Sequence, residues 1–502
     1  MTVIKEINSG LPKEIRSVAV IGAGPVGAGL TKALVNEKSF DKIKVFEKRS
    51  TLGGLWNYTK PHFKSHSENI SASIPCEEPH GKRLQQLKDK NGVIFQSAVY
   101  KYLDTNVPKD LMEYKDLPFP EGSPLFPLRE QVYNYIVSCS KEIENLVSFN
   151  SEVTKVHYDD DKHIFSILTK DLNTGNINTE NFDAVAIATG FYDLPFVPNR
   201  PGLKEWHSQF PHSVSHAKDF DAPEDFKDIE GKIVVVGNSA SGSDLAFELA
   251  GFLNKVVYKS RRSESFMPSG SHPLIEDVAD ILRFDPKTKS LLLVNGERLE
   301  NVEKVIFCTG YLKYLPFLPS ESEVKSHGDK VLQSLVTDGA RLHNLYNHII
   351  PYNLPSFGII GLPKYVLPTR LSETQGAWLA RLWSKRIQLP TMEIMKYYDQ
   401  WFQETNGTGG KYHDMLFPMD VQYSQRLNKE IREAGNGGYF GVEWSSEEIK
   451  LRSSIKVIKE SYLSYFRDTG KRAENVEELL HHNYFRWPKD AKLSVEPSEV
   501  VP

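Results

Sequence analysis

Residues 17–30 read SVAVIGAGPVGAGL, a short apolar run followed by a glycine-rich turn and a second apolar stretch. The run SVAVI is typical of a buried parallel strand, because β-branched and small apolar side chains fill both faces of such a strand. Gly22, Gly24 and Gly27 have the spacing G-x-G-x-x-G, and residues 25–37 have the composition of a helix. The stretch therefore predicts the strand, turn and helix that bind the phosphates of a dinucleotide.

Each glycine of this turn has a predicted task. Gly22 permits the tight turn, Gly24 lets the backbone approach a pyrophosphate, and Gly27 lets helix and strand pack closely. The helix that starts at Pro25 offers free N–H groups to the phosphates. A second strand, KIKVFEK, reaches Glu47 twenty positions after Gly27, where a carboxylate accepts hydrogen bonds from a ribose 2′-OH. Because a carboxylate repels a 2′-phosphate, the first turn is predicted to hold FAD or NAD.

The loop after this strand reads GGLW over residues 53–56. Gly54 gives a second place where the backbone can approach a ligand closely, and Trp56 can cover a flat ring system. A glycine loop capped by a core tryptophan is the alternative interpretation, and these residues alone leave both open.

Residues 233–246, IVVVGNSASGSDLA, repeat the first turn with one glycine missing. Gly237 and Gly242 occupy the first and third glycine positions, and Ser239 stands at the middle one. Serine adds only a hydroxyl to the chain, so a phosphate can still approach, and the hydroxyls of Ser239 and Ser241 can donate to it. The chain is therefore predicted to carry a second dinucleotide-binding turn.

The strand after the second turn, KVVYKSRRS, ends in different chemistry from the first. Ser260, Arg261 and Arg262 stand at the place that Glu47 occupies after the first turn. Two guanidinium groups and a hydroxyl suit a 2′-phosphate. We interpret the second turn as an NADPH site and the first as the site of a dinucleotide without a 2′-phosphate. A solvated basic strand end is the alternative interpretation.

Two further apolar strands run into a Thr-Gly pair, at Thr189-Gly190 and at Thr309-Gly310. Glycine at the carboxyl end of a parallel strand lies beside the crevice in which open α/β sheets bind ligands. Each nucleotide-binding unit is therefore predicted to close on one of these strands. Cys308, inside the second strand, is predicted to be a core residue rather than a reactive thiol.

The composition limits the class of protein. The 502 residues include 61 basic and 65 acidic side chains, a formal net charge of −4, which gives no sign of a nucleic-acid partner. Three cysteines without a CxxC pair or zinc spacing favour a reducing, cytoplasmic compartment, and no metal site is predicted. No signal peptide and no apolar run of about 18 residues is present, so no transmembrane segment is expected. Peripheral association with the endoplasmic reticulum stays open.

In this order, the motifs resemble those of the flavin-containing monooxygenases along most of the chain. The family's pattern is present as GAGPVG at residues 22–27, GGLW at 53–56, DTNVP at 104–108, FPHSVSHAKDF at 210–220, the second turn, and CTGY at 308–311. Phe210, His216 and Phe220 keep the register of the linking motif. His212 stands where the family has glycine, and with Ser239 it makes two departures on the NADPH side.

The resemblance is closest to the soluble fungal branch, which is associated with thiol oxidation. It implies an enzyme that reduces FAD with NADPH, forms a C4a-hydroperoxyflavin with O₂, and oxygenates soft nucleophilic sulfur or nitrogen atoms of small thiols, sulfides and amines. Asn106, at the family's T-N asparagine, would lie by the isoalloxazine and help to hold the peroxide. A turn residue before Val107 and Pro108 is its alternative role. His216 is interpreted as part of the architecture of the linking segment.

The resemblance also implies the fold, which is α/β with two dinucleotide-binding (Rossmann-like) domains, the NADPH domain inserted into the FAD domain. The predicted FAD domain comprises residues 1–205 and, with the C-terminal helices, 330–502, and the NADPH domain comprises residues 206–329. The residues assigned to cofactor binding are Gly22, Gly24, Pro25, Gly27, Glu47, Gly54, Leu55, Trp56, Thr105, Val153, Thr189, Gly190, Tyr192, Gly237, Asn238, Ser239, Ser241, Gly242, Ser260, Arg261, Arg262, Thr309, Gly310, Tyr311 and Gln375. Asn106 is the one predicted catalytic residue.

Three other functions share part of this pattern. A pyridine-nucleotide disulfide reductase needs a redox dithiol, and this chain has no CxxC. A Baeyer–Villiger or N-hydroxylating flavin monooxygenase uses the same cofactors, although Phe220 stands where the Baeyer–Villiger enzymes carry tryptophan. An uncoupled NADPH oxidase or redox sensor keeps the folds without oxygen transfer. The sequence names neither the substrate nor the oligomeric state, so a homo-oligomer stays open.

Overall fold

Strands and helices alternate along the part of the chain that the computed structural model describes, residues 10–59, 75–77, 87–89, 92–264 and 272–496. The strands are β1 (Ser17–Ile21), β2 (Lys42–Phe46), β3 (Leu87–Asp89), β4 (Gly92–Ile94), β5 (Val147–Ser148), β6 (Ser151–Asp159), β7 (Ile164–Asp171), β8 (Ile177–Phe182), β9 (Ala184–Ile187), β10 (Leu194–Pro195), β11 (Val214–His216), β12 (Lys232–Val236), β13 (Val257–Arg261), β14 (Ile275–Ala279), β15 (Ile281–Asp285), β16 (Ser290–Leu293), β17 (Arg298–Leu299), β18 (Val302–Phe307), β19 (Tyr311–Leu312), β20 (Leu345–Tyr346), β21 (Ile350–Pro351) and β22 (Phe357–Ile359).

The α-helices are α1 (Pro25–Glu37), α2 (Lys109–Met112), α3 (Arg129–Ser140), α4 (Leu203–Gln209), α5 (Ala240–Leu253), α6 (His327–Ser334), α7 (Pro368–Trp383), α8 (Met392–Asn406), α9 (Met419–Glu433), α10 (Ser446–Ser453), α11 (Ile455–Thr469) and α12 (Val476–His481). Short 3₁₀ helices lie between them, among them Gly54–Trp56 and Ala217–Asp219. Within the described ranges, no helix combines the length and the apolar composition that crossing a membrane requires.

Five parallel strands form the first sheet, in the order β22-β9-β1-β2-β5. β1 lies at its centre and is buried on both faces, as its sequence predicts. Val18 and Val20 face a core that includes α1 and α7. Ala19 and Ile21 face the opposite core, which includes the antiparallel sheet β6-β7-β8. The carboxyl end of β1 is thereby fixed in the middle of the first sheet.

A second sheet of five parallel strands has the order β11-β18-β12-β13-β14. Its strands all lie between residues 214 and 307, whereas the first sheet takes β9 from before this range and β22 from after it. The second unit is therefore inserted into the first. This confirms the predicted α/β fold with two dinucleotide-binding units, one inside the other.

The two units are joined by the short antiparallel pair β10 and β19, in which Leu194 lies opposite Leu312 and Pro195 opposite Tyr311. Each of these strands follows one of the Thr-Gly pairs. The chain thus passes from one unit to the other near the carboxyl ends of β9 and β18. The domain boundaries at 205/206 and 329/330 stay a prediction.

Helix α7 packs along α1 and closes the first unit with a segment from the C-terminal part of the chain. The two helices approach closely at glycines. A Cβ atom on Gly29 would lie 2.2 Å from the Ser372 hydroxyl, and one on Gly376 would lie 2.9 Å from Leu30 Cα. Hydrogen is the only substituent that fits at these two crossing points, so glycine sets the spacing between the helices.

Replacing Gly376 with valine is expected to destabilise the protein, since the added carbons would meet Leu30 Cα and the Ala33 side chain, the latter at 3.2 Å. Overpacking of this kind costs about 1–3 kcal/mol. Gly409→Val is the matched control, because a Cβ there meets no atom within 4 Å. Urea denaturation followed by circular dichroism measures both variants, and equal midpoints would contradict the close packing of α7 on α1.

Candidate functional site

The first turn has the geometry that its glycines predict. Gly22 has φ of 106°, and a Cβ atom there would lie 2.7 Å from the Ala188 carbonyl oxygen. A Cβ on Gly27 would lie 2.0 Å from the Gly22 carbonyl oxygen. Gly24 is the N-cap of α1 and makes no side-chain cap, so the first N–H groups of the helix are available to an anion.

Glu47 lies at the carboxyl end of β2 and is only 4 % exposed. Its Oε2 accepts a hydrogen bond from the Ala23 N–H at 2.8 Å, and its Oε1 accepts one from the Arg49 N–H at 2.8 Å. The carboxylate is therefore held beside the first turn. Each oxygen keeps a lone pair that a ribose hydroxyl can use.

The GGLW loop lies directly against the first turn. A Cβ on Gly54 would be 2.8 Å from Gly24 Cα, so the two backbones are in contact. Gly53 and Gly54 both have positive φ, 99° and 55°, which glycine adopts without strain. Trp56 is half-buried and packs on the core around Tyr135 of α3.

The second turn repeats the geometry of the first. Gly237 has φ of 111°, its Cβ would lie 2.6 Å from the Cys308 carbonyl oxygen, and a Cβ on Gly242 would lie 2.0 Å from the Gly237 carbonyl oxygen. Ser239 has φ −79° and ψ −173°, against −77° and −171° for Gly24. Because this φ is negative, a side chain is tolerated at the middle position. Serine therefore replaces glycine there without altering the turn.

Ser260, Arg261 and Arg262, at the carboxyl end of β13, differ in how far their side chains are free to bind a ligand. The Ser260 side chain is buried, and its hydroxyl donates to the Ala279 carbonyl oxygen at 3.1 Å. Arg261 pairs with Asp277 at 3.3 Å and is 37 % exposed. Arg262 is exposed. At the carboxyl end of β13 the two guanidinium groups are thus at least partly exposed, one of them in an ion pair, whereas the hydroxyl is buried and has a partner.

The Thr-Gly pairs lie at the carboxyl ends of β9 and β18, and Gly190 and Gly310 have φ of 66° and 82°. The rings of Tyr192 and Tyr311, which follow them, are 5.4 Å apart. The structure thus brings together the ends of the two strands that the sequence pattern singles out. They meet at the junction of the two units.

His216 supports this junction from inside. Its Nδ1 accepts from the Lys218 N–H at 3.0 Å, so its Nε2 carries the proton and donates to the Gly310 carbonyl oxygen at 3.0 Å. Burial, and to a smaller degree Lys218, lower the pKa of His216 to about 3. The imidazole is therefore neutral at physiological pH and acts as a hydrogen-bonded support of the link.

Asn106 lies between the two units. Its Nδ2 donates to the carboxylate of Asp244, on α5, at 2.8 Å. Its Oδ1 is shielded from solvent and has no hydrogen-bond partner among the described residues. A buried carbonyl oxygen usually has a donor in a folded protein, so this oxygen is able to accept a hydrogen bond from a bound group with an N–H or O–H.

Other predicted site residues have their polar groups occupied or lie away from the turns. Gln375 accepts from the Gly361 N–H at 2.9 Å and donates to the Tyr423 hydroxyl at 2.8 Å. Val153 is buried in the core beneath β6. Asn238 donates to the Ser263 carbonyl oxygen. Their predicted contacts with a cofactor stay predictions.

Sequence reasoning missed the residues that surround Asn106 and the second turn. Asp244 and Tyr100 are hydrogen-bonded to each other at 3.1 Å. Tyr365, in the left-handed conformation with φ of 61°, makes a side-chain hydrogen bond with Ser239. A strained residue at such a contact has a stability cost that the local sequence does not reveal.

In the part of the chain that the structure describes, no group of three or more His, Cys, Asp or Glu residues could hold a metal ion.

Lowering the pH from 7 to 5 is expected to cost the fold about 2 kcal/mol through His216. Its folded pKa of about 3 lies below the value near 6.5 in the unfolded chain, so only the unfolded state takes up a proton in this range. His216→Gln removes this contribution. Urea unfolding of both proteins at pH 7 and pH 5 measures it, and the same loss in the variant would contradict a neutral buried His216.

A family model described as FMO-like, Flavin-binding monooxygenase-like, matches residues 85–272. The flavin-containing monooxygenase FMO GS-OX4 of Arabidopsis thaliana is 30% identical over 400 residues, covering 76% of this chain and 77% of the relative. The thiol-specific monooxygenase of Saccharomyces cerevisiae is 28% identical over 454 residues, covering 89% and 92%.

The solved structure of S-allyl-L-cysteine S-oxygenase from Allium sativum superposes with a TM-score of 0.68 at 24% identity and covers 93% of this chain and 97% of that one. At this identity the likeness concerns the fold. Both units and their connection are therefore present in a known protein of similar length.

Proposed function

Because the chain belongs to the flavin-containing monooxygenase family, we propose that it uses FAD and NADPH to transfer one oxygen atom of O₂ to a soft sulfur or nitrogen atom of a small molecule. In each turnover NADPH supplies two electrons, one oxygen atom joins the substrate and the other leaves as water. The FAD unit is built from both ends of the chain, and residues 206–329 form the NADPH unit. The enzyme is a monooxygenase of the flavoprotein class.

The first turn fits FAD. Gly22 and Gly27 allow the tight turn, and the start of α1 offers N–H groups to the pyrophosphate. Glu47 is held as an acceptor for ribose hydroxyls. When bound, the flavin supplies the redox chemistry with O₂, which no side chain can provide. The uncompensated Asn106 carbonyl oxygen supports a cofactor N–H at the junction of the two units.

The second turn fits NADPH. Ser239 has the backbone conformation of Gly24, so its unit can receive a second pyrophosphate. Arg261 and Arg262 stand at the edge where Glu47 stands in the first unit, and guanidinium groups bind phosphate oxygens in bidentate fashion. The proposal depends on one observation. The two turns have the same shape, but the strands that follow them end in side chains of opposite charge. Such a pair suits one dinucleotide without, and one with, a 2′-phosphate.

Sulfur is the substrate atom that the relatives favour, since two proteins similar to this chain carry names that refer to thiol oxidation and to S-oxygenation. Amines are the second class.

The three cysteines, Cys76, Cys139 and Cys308, are all free, which supports a reducing, cytoplasmic location for the enzyme.

Isotope labelling tests the reaction directly. Purified protein with NADPH, ¹⁸O₂ and a panel of thiols, sulfides, amines and ketones is analysed by mass spectrometry, and released H₂O₂ is measured in parallel. One ¹⁸O atom in a sulfur or nitrogen product is the expected result. Labelled esters from ketones would instead indicate Baeyer–Villiger chemistry. NADPH consumption that yields only H₂O₂ would identify an uncoupled oxidase.

Valine at the middle position of either turn is expected to weaken the binding of one cofactor and to leave the other bound. Gly24→Val places carbon atoms beside Gly54 Cα, 3.4 Å from the new Cβ, and in the path of the FAD pyrophosphate, so flavin content falls at least about tenfold. Ser239→Val leaves the flavin bound and raises the KM for NADPH about tenfold. Absorbance at 450 nm per protein and steady-state kinetics measure both. Full flavin content in Gly24→Val would contradict the assignment of the first turn.

Removing both arginines is expected to lower the preference for NADPH over NADH. The side chains are partly exposed, so solvent weakens their contacts, and Arg261→Ala with Arg262→Ala should reduce the ratio of the two kcat/KM values about ten- to a hundredfold, or about 1.4 to 2.7 kcal/mol. Arg283→Ala, an exposed arginine on β15, is the control for net charge. An unchanged ratio in the double variant would leave these arginines as solvated surface residues.

A further inference from the structure

The backbone that carries Asn106 is held by the C-terminal part of the chain. Lys459, on α11 and 1 % exposed, donates to Asp104 Oδ1 at 2.6 Å and to the Thr105 carbonyl oxygen at 2.7 Å. Arg472 binds the other oxygen of Asp104 at 2.8 Å. These contacts do not involve α5. The backbone next to Asn106 is therefore held by direct hydrogen bonds from an element other than the one that contacts its side chain.

The Asn106 side chain is held by a different element. Asp244 lies on α5, one turn after Ser239, and its Oδ2 accepts from both Asn106 Nδ2 at 2.8 Å and the Tyr100 hydroxyl at 3.1 Å. An ionised carboxylate only accepts hydrogen bonds. The nitrogen end of the amide therefore faces Asp244, and the oxygen end faces away, where it has no partner among the described residues.

We propose that Asp244 is a positioning residue that fixes the orientation of the Asn106 amide, so that its carbonyl oxygen faces an N–H of the bound flavin or nicotinamide. This inference rests on the proposed function, because it needs a cofactor at the junction. It also assigns Asn106 the role of a hydrogen-bond acceptor. The family resemblance implies that this residue lies by the isoalloxazine and helps to hold the peroxide.

The orientation of the Asn106 amide depends on pH, because it depends on whether the Asp244 carboxyl group is protonated. The titratable groups that face it are Tyr100, Asp104, Glu248, Cys308 and Lys459. Burial raises the pKa of Asp244 to about 6, against the opposing effects of Lys459 and of the hydrogen bond from Asn106. A protonated carboxyl group can also donate. Below about pH 6 the nitrogen end of the amide is therefore no longer required to face Asp244.

The variant Asp244→Asn keeps the shape of the side chain and removes the acceptor-only character, so the Asn106 amide can adopt both orientations. Reduced flavin carries N–H groups that oxidised flavin lacks, and an acceptor facing the ring stabilises the reduced form. We expect the ratio of reduced to oxidised flavin at a fixed potential to fall three- to tenfold, a shift of about −15 to −30 mV. Loss of a negative charge alone would shift the potential in the positive direction.

Glu248→Gln is the matched control. Glu248 is a partly buried acid one turn further along α5, and its Oε2 is shielded from solvent without a hydrogen-bond partner among the described residues. Burial, and to a smaller degree Asp244, raise its pKa well above the ordinary value. The substitution removes an acid from the same cluster and leaves the Asn106–Asp244 contact in place, so a negative shift in Glu248→Gln equal to that of Asp244→Asn would overturn the proposal. A zero or positive shift in Asp244→Asn would overturn it as well.

The wild-type enzyme provides a test that does not depend on the stability of a variant. The amount of H₂O₂ released per NADPH should rise severalfold as the pH falls through about 6, because Asp244 becomes protonated, and it should stay flat in Asp244→Asn. A flat wild-type profile would overturn the proposal. The wild-type profile remains a valid test even if the variant Asp244→Asn fails to bind flavin.

Asn106→Leu distinguishes a failure of the proposed placement of Asn106 at the cofactor from a failure of the proposed role of Asp244. If it retains flavin and leaves both the potential and the H₂O₂ release unchanged, the proposed placement of Asn106 at the cofactor is wrong. If Asn106→Leu changes both and Asp244→Asn changes neither, only the role of Asp244 is wrong. We expect both variants to respond, and the double variant to respond no more than Asn106→Leu alone.

Discussion

The structure depends on how closely a helix can approach the strand before it. In both units the third glycine of the turn lies against the carbonyl oxygen of the first, with 2.0 Å left for a Cβ at Gly27 and at Gly242. Only hydrogen fits in this space. This close packing places the first turn of each helix, α1 and α5, at the carboxyl end of its own sheet. The N–H groups that can bind phosphate therefore have a fixed position.

The same kind of close approach recurs between α1 and α7 at Gly29 and Gly376, and it gives α7 a supporting role. Glu373 accepts from the Lys115 N–H at 2.9 Å and is hydrogen-bonded to Tyr439. Gln375 holds the Gly361 N–H at 2.9 Å. These polar side chains lie in the core and tie loops to the helix.

Local sequence patterns were sufficient for the two dinucleotide-binding turns, because each turn, with its strand and helix, is contained in about 20 consecutive residues. The insertion of one unit into the other was implied by the family resemblance. The partners of Asn106 could not be predicted in this way. Asp244 lies 138 positions from Asn106, and Lys459 lies 355 positions from Asp104. Such contacts depend on how the units are placed, and no spacing in a single sequence encodes that. The buried hydroxyl of Ser260 shows the same limit, since strand pairing turned it toward Ala279.

The insertion of one unit into the other also sets an order for folding during synthesis. All strands of the second sheet have left the ribosome once residue 307 has emerged, so this unit can complete its core early. The first sheet has to wait for β22, which ends at Ile359, and α1 has to wait for α7. In the interval, the outer edge of β9 and the apolar face of α1 are exposed, and such surfaces favour aggregation. The nascent chain is therefore most in need of chaperones between the completion of its inner and its outer unit.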